Sequence, residues 1–350
     1  MIPYNYLIIL FAIFQYSSAS FGQTSRRFFN GDLFDNDSIL ELSLKLNCDS
    51  LYRGGISESI EFKGFMSYYY NPKSELIIPV KITKRGHFRK MYNVCNFPPL
   101  RVAFSKKNAK NSIFEDRNKI KMVTHCINED KSFDQYVIEE YLIYKAYNII
   151  TDYSFKVRLA QIKYVDTSGK NPIMTRFGFF IENPDELANR MKGSKLDYRY
   201  IYPEVVDQYH YCLMGVFQYM IYNTDWSINL LHNIEIIGIF PSLRPVAVPF
   251  DFDMAGLINI PYHSPVTEYR LGKEPVRQFT LKNLNRTLIK SAVYRFNSKK
   301  EEILSLYQNN KFLSDSIKVK TLGSLNTFFR TIEDSKKVRR EFFKIHRNKS

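Results

Sequence analysis

The fold of this chain is decided by residues 203–253, which read PEVVDQYHYCLMGVFQYMIY, NTDWSINLLHN and IEIIGIFPSLRPVAVPFDFD in three consecutive segments. The first segment has the apolar pattern of a buried helix, and the third predicts two strands joined by a turn. The middle segment is a polar loop that contains Asp225, and Asp251 and Asp253 end the last strand. The acidic residues therefore sit at the ends of rigid elements, where their charge stays in contact with solvent or ligand.

The order of these residues is typical of phosphoryl transfer. A loop aspartate, an asparagine a few residues later, a strand pair and a second aspartate follow one another in enzymes of the kinase fold. Asp225 has the place of the first aspartate, and Asp251 that of the second, with Asp253 beside it. Carboxylate and amide oxygens are hard ligands that suit Mg²⁺ or Mn²⁺. The pattern predicts a metal site that favours phosphate groups.

Two other interpretations of the acidic segments remain open. An Asp-x-Asp after a strand also forms turns and helix N-caps. The same tripeptide binds nucleotide sugars in glycosyltransferases, but an alternating α/β nucleotide domain would have to precede it. No such alternation precedes Asp251 in this sequence.

The N-terminal half of the chain reads mainly as strands. Apolar and polar residues alternate between residues 38 and 104, and residues 119–126 form another short strand before a helix over residues 132–151. A further strand pair follows, and the C-terminal third is mostly helical. This order predicts an α+β fold in a two-lobed single domain. We place a strand-rich N-terminal lobe at about residues 38–185 and a mostly helical C-terminal lobe at about residues 186–350.

A kinase-like fold needs a lysine on a strand and a glutamate on the next helix to orient the nucleotide phosphates. Lys121 lies on the strand immediately before the helix that carries Glu139 and Glu140. An ordinary surface lysine is the alternative interpretation. Three other cations compete for the same role: Lys84, Arg85 and Lys119.

Six segments in this order resemble the spore coat protein H (CotH) kinase family, an atypical branch of the protein-kinase-like fold. They are VKITKRGHFR (80–89), FPPLRVAF (97–104), IEEYLIY (138–144), GFFIENPDEL (178–187), NTD (223–225) and PFDFD (249–253). The resemblance is to the exported, mid-sized members found in Bacteroidetes-type bacteria. It implies phosphorylation of a protein substrate by ATP with Mg²⁺ or Mn²⁺.

The resemblance also implies roles for individual residues. Asp225 matches the catalytic aspartate, Asp251 the metal-binding one, and Glu140 the glutamate of the regulatory helix. Glu182 falls in the segment between the lobes, near where adenine would bind. The sequence departs from the family around residues 87–90 and 97–99, which leaves the nucleotide-binding lysine open.

The metal-binding asparagine is ambiguous. Asn229 is four residues past Asp225 and Asn233 is eight, whereas the usual kinase spacing is about five. We favour Asn233, because it leads directly into a strand as the kinase asparagine does. A non-catalytic, kinase-like binding protein of the cell envelope is the alternative function, since free ATP is scarce outside the cytoplasm.

Residues 1–20 have the layout of a secretory signal peptide. An unbroken apolar run from Tyr6 to Phe14 is too short to span a bilayer as a helix, and small residues follow it. The segment has no Lys or Arg before the apolar run, and a buried N-terminal strand is the alternative. We expect a mature domain over residues 21–350, exported to the periplasm or beyond and without stable membrane insertion.

The composition is that of a folded basic protein. A hydrophobic fraction of 45% and an aromatic fraction of 15% exclude a disordered or fibrous chain. Fifty Lys and Arg against 35 Asp and Glu leave a formal charge of +15, which favours anionic partners. The basic residues are scattered, so charge alone names no ligand. The resemblance to the CotH family implies a nucleotide and a protein substrate as partners, and we expect no nucleic acid.

The chain has four cysteines, and none of them has zinc-site spacing. Cys95 lies just before one N-terminal strand and Cys126 ends another, so these two are predicted to meet in a disulfide. Cys48 and Cys212 are predicted to stay free, and four reduced core cysteines are the alternative.

Overall fold

The computed structural model describes residues 31–53, 60–71, 73–86, 95–242, 244–258, 260, 276–281 and 284–343. Strands in this part of the chain are β1 Leu40–Leu46, β2 Phe62–Asn71, β3 Ser74–Lys84, β4 Leu100–Phe104, β5 Lys119–Thr124, β6 Val157–Asp166, β7 Met174–Ile181, β8 Gly193–Lys195, β9 Ile234–Ile239 and β10 Val246–Pro249. Helices are α1 Cys48–Arg53, α2 Lys106–Ala109, α3 Phe133–Ile150, α4 Pro184–Arg190, α5 Gln208–Met220, α6 Arg286–Ser298, α7 Lys300–Gln308, α8 Asp315–Ile332 and α9 Ser335–Phe342.

The first seven strands form a closed barrel in the order β1-β2-β3-β4-β5-β7-β6. The closing pair is parallel and runs from Leu40 opposite Ala160 to Leu46 opposite Asp166. Every second residue of β1 points into the barrel and is buried, as the alternating sequence predicted. The barrel has its own core of aliphatic and aromatic side chains.

Helix α3 joins the barrel to the C-terminal half. It is buried around most of its circumference, because Phe179 of β7 packs on one side and helix α7 on the other, where α8 also lies beside Glu139. The same hydrophobic core continues into α5, β9, β10 and the C-terminal helices. An all-round apolar helix is the pattern expected of one that lies between two layers.

A three-stranded antiparallel sheet in the order β10-β9-β8 carries the acidic segments. Ile234 of β9 pairs with Pro249 of β10, so that Asn233 and Phe250 lie at the same end of the sheet. The helix predicted over residues 203–222 is shorter. It begins at Gln208, because the Asp207 side chain accepts a hydrogen bond from the His210 N–H as an N-cap, after a 3₁₀ turn at Pro203–Val205.

The structure confirms a mixed α/β architecture in which strands precede most of the helices. Closure of the N-terminal strands into a barrel was not predicted. Among the described residues, no helix is both long enough and apolar enough to span a membrane. The predicted signal peptide, residues 1–20, lies outside the described residues.

Candidate active site

The loop after α5 holds Asp225 in a fixed position. Asn223 is buried, and its side-chain oxygen accepts the Asp225 N–H at 2.9 Å. This turn leaves the Asp225 carboxylate partly exposed, with 21% of its side-chain surface accessible. The backbone is therefore anchored while the carboxylate remains open to a ligand.

Two neighbouring side chains orient the Asp225 carboxylate. The Nε2 atom of His232 lies 3.0 Å from Oδ1 of Asp225. The Asn233 amide nitrogen donates to the Asp225 carbonyl oxygen at 2.8 Å and to Oδ2 at 3.2 Å. Because the amide nitrogen of Asn233 is used in this way, its amide oxygen points away from Asp225.

Asn233 also connects the two acidic segments. Its carbonyl oxygen accepts the Phe250 N–H at 3.1 Å, immediately before Asp251. Asn233 and Asp251 both have left-handed backbone conformations, with φ of 55° and 60°. Asn and Asp tolerate this region better than other non-glycine residues, and such conformations often occur at functional sites.

Asp251 is held from the other side by helix α3. The Asp251 N–H donates to the Tyr144 hydroxyl at 2.8 Å. Phe252 is fully buried, and its ring packs against Tyr144 at 4.7 Å and Phe217 at 5.6 Å between ring centres. Burial, reinforced by the charges of Glu140 and Asp251, raises the pKa of Tyr144 well above its usual value.

Lys121 faces this acidic segment from the barrel. Its Nζ atom lies 5.0 Å from the centre of the Phe250 ring. Burial lowers the pKa of Lys121, and Arg85 adds to the effect, while the charges of Asp251 and Glu235 oppose it. Lys121 is thus a partly desolvated cation beside Asp251.

The competing cations occupy different positions. Lys119 is exposed at the start of β5. Lys84 is buried, and its Nζ atom lies 6.0 Å from the centre of the Phe62 ring. Arg85 lies on the Lys121 side and influences it electrostatically.

The two glutamates of α3 face different neighbours, because adjacent helical residues are about 100° apart around the helix axis. Glu139 points to the C-terminal helices, where burial raises its pKa to about 8 against the opposing charge of Lys320. Glu140 is buried and lines a small cavity together with Asp253 and Thr124. Glu140 thus shares a cavity with Asp253, Lys121 is within electrostatic reach of Asp251, and the Lys121–Glu140 pair stays a prediction.

Glu182 has structural partners for both carboxylate oxygens. Arg190 donates to Oε1 and Oε2, each at 2.9 Å, and the Lys156 N–H donates to Oε2 at 2.9 Å. The side chain of Glu182 is buried in this arrangement. A contact with adenine stays a prediction, and the structure gives the carboxylate another role.

The two candidate asparagines have different hydrogen-bond partners. The Asn229 amide donates to the Tyr200 hydroxyl at 3.1 Å and to the Ile201 carbonyl oxygen at 3.2 Å, which ties the loop to residues 200–201. Asn233, in contrast, contacts Asp225 directly. Trp226, which directly follows Asp225, packs against the small core that includes Ile234 and Ile236 of β9.

The donor set suits a hard divalent cation. Asn233 offers an amide oxygen and Asp251 a carboxylate, at the same end of one sheet, and Mg²⁺ and Mn²⁺ prefer such oxygens. Within the described residues, no three His, Cys, Asp or Glu side chains are grouped closely enough to hold a metal on their own. Asp253 lies beyond the buried Phe252, on the Glu140 side.

Sequence reasoning assigned no role to two residues of this site. Tyr144 lies four residues after Glu140, so that both share one face of α3, and this spacing was the available signal. His232 immediately precedes Asn233, but nothing in the sequence showed that the loop would fold back onto Asp225. The isolated bridge between Ser227 and His232 produces that fold.

Comparison with known proteins gives structural likenesses alone. No family model matches the chain, and no curated protein matches it. Among solved structures, the chain is similar to one described as the Helicobacter pylori proinflammatory kinase CtkA. The sequences are 12% identical, the match covers 82% of this chain and 93% of that chain, and the TM-score is 0.37. The resemblance to the CotH family stays a prediction.

Proposed function

We propose that this chain is an ATP-dependent phosphotransferase with a two-lobed, kinase-like arrangement that acts on a hydroxyl group of a protein. The observation that carries the proposal is the hydrogen-bonded unit around Asn233. This residue binds Asp225 through its side chain and Phe250 through its backbone, which brings Asp225 and Asp251 to one end of the β9–β10 sheet. The CotH-like order of the segments supports the same function.

The residues of this unit have separate roles in the proposed reaction. Asp225 orients the acceptor hydroxyl and takes its proton as the oxygen bonds to the terminal phosphorus, while the bond from that phosphorus to the leaving diphosphate breaks. Asn233 and Asp251 would hold a divalent cation, with Asp253 nearby. That cation would supply charge neutralisation on the phosphates. Lys121 lies where it can bind a phosphate, and His232 keeps Asp225 oriented.

Two conservative substitutions test the proposal. Asp251→Asn removes one carboxylate charge but keeps a residue that tolerates the left-handed backbone. We expect it to abolish the Mn²⁺-dependent part of ATP binding, measured as a thermal shift with and without Mn²⁺. Asp225→Asn should leave that shift nearly intact and remove phosphate transfer, because Asp225 acts on the acceptor hydroxyl.

The Asn229→Ala variant is the matched control, because Asn229 lies on the same loop but contacts residues 200–201. It should retain the Mn²⁺-dependent shift. If Asp251→Asn binds Mn²⁺ and ATP as the unchanged protein does, the proposed site is wrong.

A non-catalytic, kinase-like binding protein is the second candidate. The Cys95–Cys126 disulfide favours it, because disulfides persist in oxidising compartments, where ATP is scarce. Under this proposal Mn²⁺ and ATP would bind, but the unchanged protein would transfer no phosphate to any hydroxyl. We further propose that the chain is exported, that it is cleaved after residue 20 and that the boundary between two lobes lies near residue 185.

A further inference from the structure

Three cations lie side by side on the outer face of strands β3, β4 and β5. Arg101 of β4 is directly opposite Lys121 of β5 and Thr83 of β3. Arg85 extends the β3–β4 ladder by one step, because its N–H donates to the Pro99 carbonyl oxygen at 2.8 Å. Arg85 and Arg101 are therefore diagonal neighbours, and Arg101 and Lys121 are direct neighbours.

The alternation of side chains fixes the face on which these cations lie. Leu100 and Val102 flank Arg101 and point into the barrel core, as Ile120 and Met122 do on either side of Lys121. Directly opposed residues on one face of a sheet have Cβ atoms about 5 Å apart, and diagonal ones about 7–8 Å apart. One anion with several oxygens can therefore reach all three side chains.

This face looks toward Asp251. Lys121 contacts the Phe250 ring, and Arg85, Arg101, Asp251 and Glu235 all act electrostatically on it. Glu235 is shared with Lys195, whose Nζ atom lies 3.5 Å from it. Lys121 is therefore the member through which this face comes within electrostatic reach of Asp251.

We propose that Arg85, Arg101 and Lys121 form one polyphosphate-binding row that holds the phosphate chain of a nucleoside triphosphate over Asp251. Arginine suits this task, because its planar guanidinium group binds two phosphate oxygens at once. The row deepens the proposed phosphotransferase function and rests on it for the identity of the nucleotide. It also explains why a single lysine could not be selected from the sequence, since three cations share the role.

The test is calorimetric titration of the full-length protein with ATP, ADP and inorganic tripolyphosphate. Arg101→Gln and Arg85→Gln each remove a charge and keep a polar side chain of similar length. Each should weaken ATP and tripolyphosphate binding roughly tenfold to a hundredfold, the range expected of a charge-assisted hydrogen bond. Because ADP has one phosphate fewer, its affinity should fall less in these variants than the affinity for ATP.

Matched controls come from the same strands. Lys119→Gln removes an exposed charge from β5, and Lys81→Gln removes one from β3, where Lys81 pairs with Glu61 at 2.7 Å. Both should change affinity by about twofold or less. Compared with Arg101→Gln, the Arg101→Lys variant keeps a positive charge but lacks the planar guanidinium group that binds two oxygens. It should recover part of the affinity, which separates charge loss from misfolding. Each variant should also melt at the same temperature as the unchanged protein in the absence of ligand, which shows that it is folded.

Each outcome decides one of the two proposals. If ATP binds in an Asp251-dependent way but Arg85→Gln and Arg101→Gln bind it as well as the controls, the row is wrong and the phosphotransferase site stands. If tripolyphosphate binds and depends on both arginines while ATP binds no more tightly and without dependence on Asp251, the row stands and the nucleotide function is wrong. If the protein binds neither ATP nor tripolyphosphate, the row is wrong.

Discussion

At the scale of single residues, two left-handed positions define the candidate site. Asn233 and Asp251 each need a backbone conformation that most side chains avoid, and each has a polar side chain that tolerates it. The sequence identified both as candidate ligands from their order along the chain. It could not show that the Asn233 amide orients Asp225, because that contact depends on how the intervening loop folds.

The different roles of Asn233 and Asn229 lead to a prediction. Asn233→Gly removes the amide and suits a positive φ, so the backbone should keep its path. We expect it to weaken Mn²⁺-dependent ATP binding by roughly tenfold or more, because it removes both a metal-binding oxygen and the orientation of Asp225. The measurement is ATP affinity at fixed Mn²⁺, with Asn229→Ala as the comparison variant. Equal losses in the two variants would assign the effect to loop stability.

At the scale of elements, α3 was predicted almost to the residue, whereas the barrel was not predicted at all. The helix is eighteen residues of continuous local pattern, from Phe133 to Ile150. Barrel closure depends on the parallel pairing of β1 with β6, which are far apart in the chain. Alternation of apolar residues shows that a strand is half buried, but it does not show which partner it pairs with.

The buried Glu139 on α3 gives a pH prediction for this element. Burial raises its pKa to about 8, and it faces Lys320 and Thr321 on α8, Tyr307 on α7 and Tyr136 on its own helix. The folded protein therefore binds more protons than the unfolded chain between about pH 4.5 and pH 8. The contribution of this group to the free energy of unfolding falls as pH rises through that window.

Glu139→Gln removes the ionisable group and keeps the shape. The variant should match the unchanged protein near pH 5 and be more stable near pH 8, by on the order of 3 kcal/mol. Urea unfolding of both proteins across this range measures the difference, in which the titration of all other groups largely cancels. A constant difference between the two free energies at every pH would contradict the raised pKa.

At the scale of the whole molecule, the order of strands and helices could be predicted from the sequence, whereas closure of the barrel could not. The predicted change from strands to helices is observed, and the acidic segments lie at the end of one small sheet. The lobe boundary near residue 185 and a kinase-like relation between the lobes stay predictions, because both depend on long-range packing that residue patterns do not encode locally. The wide distribution of the basic residues likewise hid the Arg85–Arg101–Lys121 row, because its members come together only when three strands pair.

The predicted disulfide is confirmed, and Cys48 and Cys212 are free and buried. Cys95 and Cys126 have Cα atoms 4.6 Å apart and close a loop across 31 positions of the sequence. The Phe97 N–H donates to the Cys126 carbonyl oxygen at 3.0 Å beside the bond, and the Phe97 side chain is fully buried. Cys126 also lines the cavity that Glu140 and Asp253 share. The bond therefore ties the segment before β4 to the segment after β5, beside that cavity.

Replacing Cys95 and Cys126 together by serine should lower the free energy of unfolding by about 3–4 kcal/mol, the chain-entropy value for a loop of this length.

Burial raises the pKa of Cys48 to about 11 and that of Cys212 to about 12, so both thiols should resist alkylation while the protein is folded. Alkylation in denaturant should therefore label two cysteines before reduction and four after it, as counted by intact mass. Four labels without a reductant, in protein isolated from its own cell compartment, would show that the bond does not form there. That result would also remove the main structural support for export, since a reducing compartment keeps such thiols apart.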